Sequence, residues 1–451
     1  MPRRLPKKFL IPLLAAVIII VGFVVIYALT GFPDDNVCCA LPPTPTSEVS
    51  LQVSPATPRP PFSPTTPNKM GVHLLLDDGR NQWPESVWRE HLEAARQVVG
   101  EWGYVTQLVR LDDLNVERWQ KFMDICAELH LTPILRLATT MNYTTYDGLK
   151  YLGWAAPRRD GDGTYRSTAQ RYADFVSKLE WPTNQHFVIV GNEPNHGAEW
   201  GGGLPDPAGY ARFLIDVADA LHTKDEYAVV MNAGFDPYAP TTKRYPPLAY
   251  QEFMDEETFL DQMVAAYPDV FLRIDVWASH SYPLGPFTQP PWEQTFQIDV
   301  INETSGDDPV NPNHQDPPEG IFNRGVNGYE WELWKLSTYG VPPLPVMITE
   351  TGWRHAETTD PNATDTGASL PNAILTSFYF DLALNGNHGR YPDTPETGWT
   401  AWQDDPRVIG VTAFAFNGNP AEWGHTNWLE LDGDGKILAI YPIVEGLFPI
   451  E

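Results

Sequence analysis

The chain has 451 residues, enough for one large domain or two ordinary ones. Its 58 acidic residues outweigh 30 basic ones, for a formal charge of −28, and part of that basic complement sits at the extreme N-terminus. A folded part this acidic excludes nucleic acid and anionic lipid as its main partner and suits a neutral substrate.

Arg3, Arg4, Lys7 and Lys8 open the chain, and residues 9–29 then carry no charge. That run matches the roughly 20 residues a helix needs to cross a bilayer, and exceeds the roughly 7–15 of a cleavable signal core. Residues 1–31 are therefore expected to form a cytoplasmic basic stub and a signal-anchor transmembrane helix, with Asp34 and Asp35 on the outer side. The small residues around Ala28 and Gly31 leave cleavage open. Cys38 and Cys39 follow, with Asp35 and Asn36 where a lipoprotein signal has an apolar residue. Residues 32–68 are rich in Pro, Thr and Ser, a composition that buries no core and forms an extended linker. The catalytic domain is expected over 69–451, membrane-anchored and outside the cytoplasm.

From there a strand–helix rhythm repeats. Apolar strand candidates are 72–76, 105–109, 133–138, 187–190, 228–233, 274–279, 346–349 and 409–416. Several are apolar throughout, as strands buried on both faces are. Helical patterns lie near 85–101, 115–129, 168–180, 207–222, 256–267, 328–338 and 370–385, with an eighth only weakly marked near 443–447. The second carries Val116, Trp119, Phe122, Met123, Cys126 and Leu129 at helical spacing, which buries Cys126 as a small hydrophobe. Eight such units predict an α/β fold, a (β/α)8 barrel. Helix-to-strand links are short, whereas the strand-to-helix links 139–167, 235–255, 284–327 and 354–368 are long. Long loops on one face place the active site at the C-terminal ends of the strands.

Two of those strands run straight into a glutamate. Val188-Ile189-Val190 leads into Gly191-Asn192-Glu193-Pro194, and Val346-Met347-Ile348 leads into Thr349-Glu350-Thr351. A carboxylate at the end of a buried strand is costly without a partner or a task. The fourth and seventh strands of a barrel face each other across the mouth. Two acids there can come within about 5–5.5 Å, the separation used in retaining glycoside hydrolysis. Ionising one raises the pKa of the other, which separates an acid from a nucleophile.

Gly191-Asn192-Glu193-Pro194, then His280-Ser281-Tyr282, then Thr349-Glu350-Thr351-Gly352-Trp353 resemble clan A retaining glycoside hydrolases, the cellulase-like barrels that include families five, thirty-nine and fifty-three. The resemblance spans about residues 70–451. It implies Glu193 as general acid/base and Glu350 as nucleophile. It implies Asn192 on the sugar 2-hydroxyl, Tyr282 donating to Glu350, and His280 near the same carboxylate or the sugar. The clan supplies an arginine near the nucleophile from an early strand, and both Arg110 and Arg136 fit. It also places a tryptophan after the eighth strand as a sugar platform. Here Phe416 and Asn417 stand at the strand end, so Trp423 and Trp353 are the candidates. The expected activity is double-displacement cleavage of β-glycosidic bonds in a poly- or oligosaccharide. The alternatives are a carbohydrate-binding surface protein without activity and a transglycosylase remodelling exopolysaccharide.

Weaker signals are also present. Trp292 and Phe322, in the long loop 284–327, are expected to wall one end of the cleft, and His196 either lines it or is idle. Asp160-Gly-Asp-Gly163 and Asp432-Gly-Asp-Gly435 read as turns, lacking the ligand spacing of a calcium loop. Asn142, Asn302 and Asn362 head glycosylation-type triplets. There is no phosphate loop, dinucleotide fingerprint or zinc-spaced Cys/His cluster, so neither cofactor nor metal is expected.

Overall fold

The structure is a computed structural model that describes residues 62–65, 67–146, 149–240, 252–294, 314–357 and 370–441. The uncharged run 9–29, Cys38, Cys39, the linker through 61, Asn302, Asn362 and residues 443–447 lie outside the described residues. No helix among the described residues is long and apolar enough to cross a membrane.

The chain runs β1 (Met70–Leu74), α1 (Glu85–Val99), β2 (Tyr104–Arg110), α2 (Val116–Leu129), β3 (Thr132–Ala138), β4 (Met141–Tyr146), β5 (Leu149–Trp154) and α3 (Arg166–Val176). It continues through β6 (His186–Val190), α4 (Pro207–Lys224), β7 (Ala228–Asn232), α5 (Glu256–Ala266), β8 (Trp277–His280) and α6 (Tyr329–Thr338). β9 (Val346–Thr351), α7 (Ala373–Asn385), β10 (Val408–Ala413), β11 (Leu429–Leu431) and β12 (Ile437–Ile440) complete it. Side-chain oxygens of Asn115, Asp206, Asp255 and Asn372 cap the N-termini of α2, α4, α5 and α7, each taking an otherwise unpaired backbone N–H.

The eight apolar strands pair in parallel in the order β7-β6-β3-β2-β1-β10-β9-β8. The seam between β7 and β8 is bridged in parallel from Met231 to Val276. The Asp275 N–H donates to the Val230 carbonyl at 2.9 Å. Asn232 crosses the same seam, donating to the Ala278 carbonyl at 3.0 Å and accepting from the Ala278 N–H at 2.9 Å. The result is the expected (β/α)8 barrel. The expectation missed two hairpins. β4 and β5 pair antiparallel inside the segment read as a loop after β3. β11 and β12 form the other, and Asp432 to Gly435 makes its turn.

The barrel interior explains how the site is aimed. Tyr104, Ile134, Ile189, Met231, Ala278 and Met347 form one buried cluster, sealed at its lower end by Phe62 against Phe187 at 5.7 Å. Side chains alternate across a strand. Two residues beyond Ile134 stands Arg136, and two beyond Ala278 stands His280, so both face the upper mouth. Simple alternation from Met347 would aim Thr349 inward and Glu350 outward. Instead β9 carries one extra residue after Ile348 against both neighbours: Ser279 pairs Ile348 and His280 pairs Glu350, while Val411 pairs Ile348 and Ala413 pairs Thr351. This bulge turns Glu350 into the barrel.

Two further acids, Glu256 and Glu332, are buried together behind β8, where Glu332 accepts from the Trp277 indole at 2.8 Å. Burial first, then the Glu332 charge, holds the Glu256 pKa well above the carboxylate range. The folded state therefore keeps a proton that the unfolded chain releases above its own pKa near 4.3. Stability is lost as pH rises from there toward the folded pKa, by about 1.4 kcal/mol per unit. Glu256→Gln is expected to raise the melting temperature more at pH 8 than at pH 5, read by calorimetry at both.

Candidate active site

A cleft of about 300 Å3 opens at the C-terminal ends of the strands, with Glu193, Glu350, Asn192, Arg136 and Tyr282 in its wall. Gly191, at φ 92°, swings the chain off β6, a conformation glycine adopts without penalty. Glu193 itself has φ 32°. It is held there by its N–H donating to the Gly234 carbonyl at 3.0 Å and its carbonyl accepting from the His196 N–H at 2.8 Å. A non-glycine residue on the left-handed side is costly and persists where its surroundings dictate it.

The two glutamates have different environments. The Glu193 side chain is 20% exposed and the Glu350 side chain 8%. The Tyr282 hydroxyl donates to Glu350 Oε2 at 3.1 Å and Arg136 Nη1 donates to Glu350 Oε1 at 3.2 Å. The same Arg136 nitrogen donates to Asn192 Oδ1. His280 Nδ1 lies 2.9 Å from Glu193 Oε1 and 3.9 Å from Glu350 Oε2. One ligand atom each from Glu193, His280 and Glu350 fall within 4.8 Å of one another. That spacing would also admit a small cation, but Arg136 already sets a positive charge against Glu350. The cluster suits proton transfer better than metal binding.

Burial alone would raise the Glu350 pKa, but His280, Arg136 and the Tyr282 hydrogen bond outweigh it and hold the carboxyl below its ordinary value. Burial likewise opposes a charge on His280, yet Glu350 and Glu193 outweigh it and raise its pKa. His73 behaves oppositely. It is fully buried on β1, 3.6 Å from Glu350 Oε1, and burial pushes its pKa down to about 3 despite Glu350. His73 is thus neutral near pH 7, and His280 and Arg136 are the cations that favour an ionised Glu350.

The structure brings Glu193, Glu350, Asn192, His280, Tyr282 and Arg136 together, and places Trp423 in the cleft wall. Trp423 packs edge-on against Phe414 at 5.0 Å, and its indole N–H points to Asp78 Oδ2 at 3.4 Å. Two candidates stand apart from this cluster. Arg110, the last residue of β2, pairs with Asp77 at 3.6 Å and Asp112 at 3.5 Å, whereas the arginine bonded to Glu350 is Arg136. Trp353 is 2% exposed, donates to the Gln289 carbonyl at 2.7 Å and packs on Tyr379 and Phe380, so it is core. Among the described residues, Trp292 and Phe322 do not wall the cleft either. Trp292 packs on Phe378 and Tyr379, and Phe322 lines a separate depression beside Trp399. Trp423→Ala is expected to raise KM at least about tenfold with little loss of stability. Trp353→Phe is expected to cost about 1–3 kcal/mol of stability and to change kcat less than threefold. Saturation kinetics and denaturant unfolding on both variants check the pair.

Sequence reasoning missed several residues in or beneath the cleft. His73 and Phe414 had a visible signal, a polar residue within one apolar strand and an aromatic just past another. Met141 and Trp154 reach the cleft from the β4–β5 hairpin, and Glu199 and Asp236 line it too, beside His196, which the sequence left as either cleft-lining or idle. Gly234 was silent in the sequence. A Cβ there would fall inside the His280 imidazole. Gly234→Ala is expected to displace His280 and lower kcat about 100-fold, since small misplacements of catalytic groups cost that much. Activity assays beside a thermal melt would separate this from unfolding.

No family model matches the sequence, and no curated protein matches it. Solved structures do. A glucosidase from Croceicoccus marinus is 11% identical, with a TM-score of 0.45, over 80% of this chain and 62% of that one. This chain therefore spans less than two thirds of the glucosidase's length. A GH39 β-xylosidase from Caulobacter crescentus is 11% identical, with a TM-score of 0.48, over 88% of this chain and 72% of that one. A GH53 catalytic domain from Ignisphaera aggregans is 10% identical, with a TM-score of 0.45, over 88% of this chain and all of that one. The barrel assignment rests on the strand order and on the closed seam between β7 and β8.

Proposed function

We propose that this chain is a glycosidase that cleaves β-glycosidic bonds of a poly- or oligosaccharide with retention, through a covalent intermediate on Glu350. The observation that carries the reading is the pair of carboxylates with atoms within 4.8 Å of one another in unlike surroundings. That is the close spacing of retaining rather than inverting enzymes. Glu350, held ionised, attacks the anomeric carbon. Glu193, more exposed, protonates the departing oxygen and then takes a proton from the incoming water. Asn192, fixed by Arg136, meets the sugar 2-hydroxyl, and Trp423 offers an apolar face to the ring. The barrel would stand outside the cell, tethered by the uncharged run 9–29 and the linker after it.

The test is turnover of β-linked aryl glycosides and polysaccharides by the full chain, with proton NMR of the first-formed anomer. A β product supports retention. A first-formed α product overturns it, and binding without turnover moves the protein to the carbohydrate-binding class. Protease accessibility of the barrel on intact cells tests the tether: a protected barrel would remove it.

A further inference from the structure

Glu193 lies between two histidines, and only His280 belongs to the proposed cluster around Glu350. His280 meets Oε1 from the barrel interior at 2.9 Å. His196 Nδ1 stands 3.9 Å from the other oxygen, Oε2, on the cleft rim. The two rings are anchored by different devices. His196 Nε2 is 2.7 Å from Asp236 Oδ2, and Phe253 packs edge-on against the ring at 4.8 Å. Asp236 is itself pinned. Its N–H donates to Asn195 Oδ1 at 3.2 Å, its carbonyl accepts from Asn195 Nδ2 at 2.9 Å, and its Oδ1 accepts from the Tyr238 N–H at 2.7 Å. Asn195 is fully buried. The two residues next after Glu193-Pro194 thus build a second arm: Asn195 sets Asp236, Asp236 sets His196, and His196 faces the carboxyl.

We infer that His196, steered by Asp236, is a positioning residue for the acid/base: an imidazolium that stabilises the Glu193 carboxylate left behind when its proton goes to the departing oxygen. The inference rests on Glu193 being that acid. In the first half-reaction the Glu193 O–H bond and the glycosidic C–O bond break while Glu350 bonds to the anomeric carbon. The electron pair of the broken C–O bond stays on the leaving oxygen, which takes the proton. Negative charge therefore appears on Glu193 in that step, and a cation beside Oε2 lowers its energy. In the second half-reaction water bonds to the anomeric carbon, Glu350 departs, and Glu193 recovers a proton. There the same cation weakens the base.

The charges around the arm agree with this. Burial opposes a proton on His196, but the Asp236 hydrogen bond and the charges of Glu193, Asp236 and Glu199 outweigh it and push its pKa up to about 9. Phe253, the other neighbour, is uncharged. Facing Glu193 from the interior are His280 and, beyond it, Glu350 with Arg136 and Tyr282. His196 is the charged group on the rim side of the acid that is locked to a partner carboxylate of its own.

The experiment is the leaving-group dependence of kcat/KM in the full chain, wild type against His196→Gln, with Asp236→Asn as a milder variant should the first unfold. With the cation removed, phenyl glycosides, which need the proton, are expected to slow about 10- to 100-fold. Dinitrophenyl glycosides, which leave unaided, should stay within about threefold. The alkaline limb of the phenyl glycoside profile should move to higher pH. An equal loss on every leaving group, or no change on any, would overturn the inference and leave His196 as packing. Wild-type turnover abolished by Glu350→Gln tests the parent reading separately: if it holds and the leaving-group slope is unchanged, only the second arm fails, and a wild type that turns nothing over sinks both.

Discussion

Glu350→Gln is expected to lower kcat at least about 10⁴-fold on every substrate the wild type accepts, about 5.5 kcal/mol of transition-state stabilisation. The amide keeps the shape and cannot attack. Its loss should not depend on the leaving group, because the missing bond is needed by all of them. Glu193→Gln should differ in kind. Activated aryl glycosides keep a substantial first step, and turnover stalls at the covalent intermediate. Added azide, which needs no general base, should then restore turnover and give a β-glycosyl azide. In Glu350→Gly, where the nucleophile's space is empty, azide should enter from the opposite face and give the α product. Stopped-flow bursts and NMR of the azide products read this contrast. Activity in Glu350→Gln within tenfold of wild type would remove Glu350 as nucleophile.

Much of this layout can be read from residue order, because a parallel barrel couples sequence to position tightly. Buried strands advertise themselves as short apolar runs, and the residues after each run lie on the one face where loops are long. That logic reaches Glu193, His280, Tyr282 and Glu350. It stops where aim depends on register. Nothing in Val346-Met347-Ile348-Thr349-Glu350 announces the extra residue that turns Glu350 inward. The bulge shows only against β8 and β10. Strand alternation does not separate the two arginines, since Arg110 stands six residues past the inward Tyr104 and so shares its face; what separates them is the company each keeps. Arg136 stands two residues past the inward Ile134, while Arg110 ends its strand among Asp77, Asp112 and Asp113. Trp353 misleads for a related reason: proximity in sequence to Glu350 says nothing about which face of the loop the ring takes. The β4–β5 hairpin does carry a signal. The dipeptide Asp147-Gly148 is of the kind preferred in two-residue hairpin turns and has β-rich flanks, but it lies in a segment whose length points to a functional loop. The pairing of His196 with Asp236 is out of reach, since it spans 40 residues and needs the barrel to exist first.

Arg136→Met is expected to lower kcat about 10³-fold and to move the acid limb of the rate profile to higher pH. One guanidinium holds both Asn192 and Glu350, so a single substitution releases the 2-hydroxyl contact and the charge beside the nucleophile. The sign is set by the groups that hold Glu350 ionised. Burial raises its pKa, and the charges of His280 and Arg136 with the Tyr282 hydrogen bond pull it below its ordinary value. The reactive form is the carboxylate, so activity is lost as pH falls through that depressed pKa. With the guanidinium gone, burial is opposed by less charge, the pKa rises, and the loss begins at higher pH. Arg136→Lys should recover part of the limb, because it keeps the charge, but little of kcat, because the shorter side chain does not carry its ammonium to the place where Nη1 meets both acceptors. Tyr282→Phe should shift the limb in the same direction with a smaller loss, about tenfold, because it removes one hydrogen bond and no charge. The order Arg136→Met, Arg136→Lys, Tyr282→Phe in limb position, measured with kcat/KM from pH 3 to 9, separates charge from geometry at the nucleophile. An acid limb that stays fixed in all three variants would mean that some group other than Glu350 limits the rate at low pH.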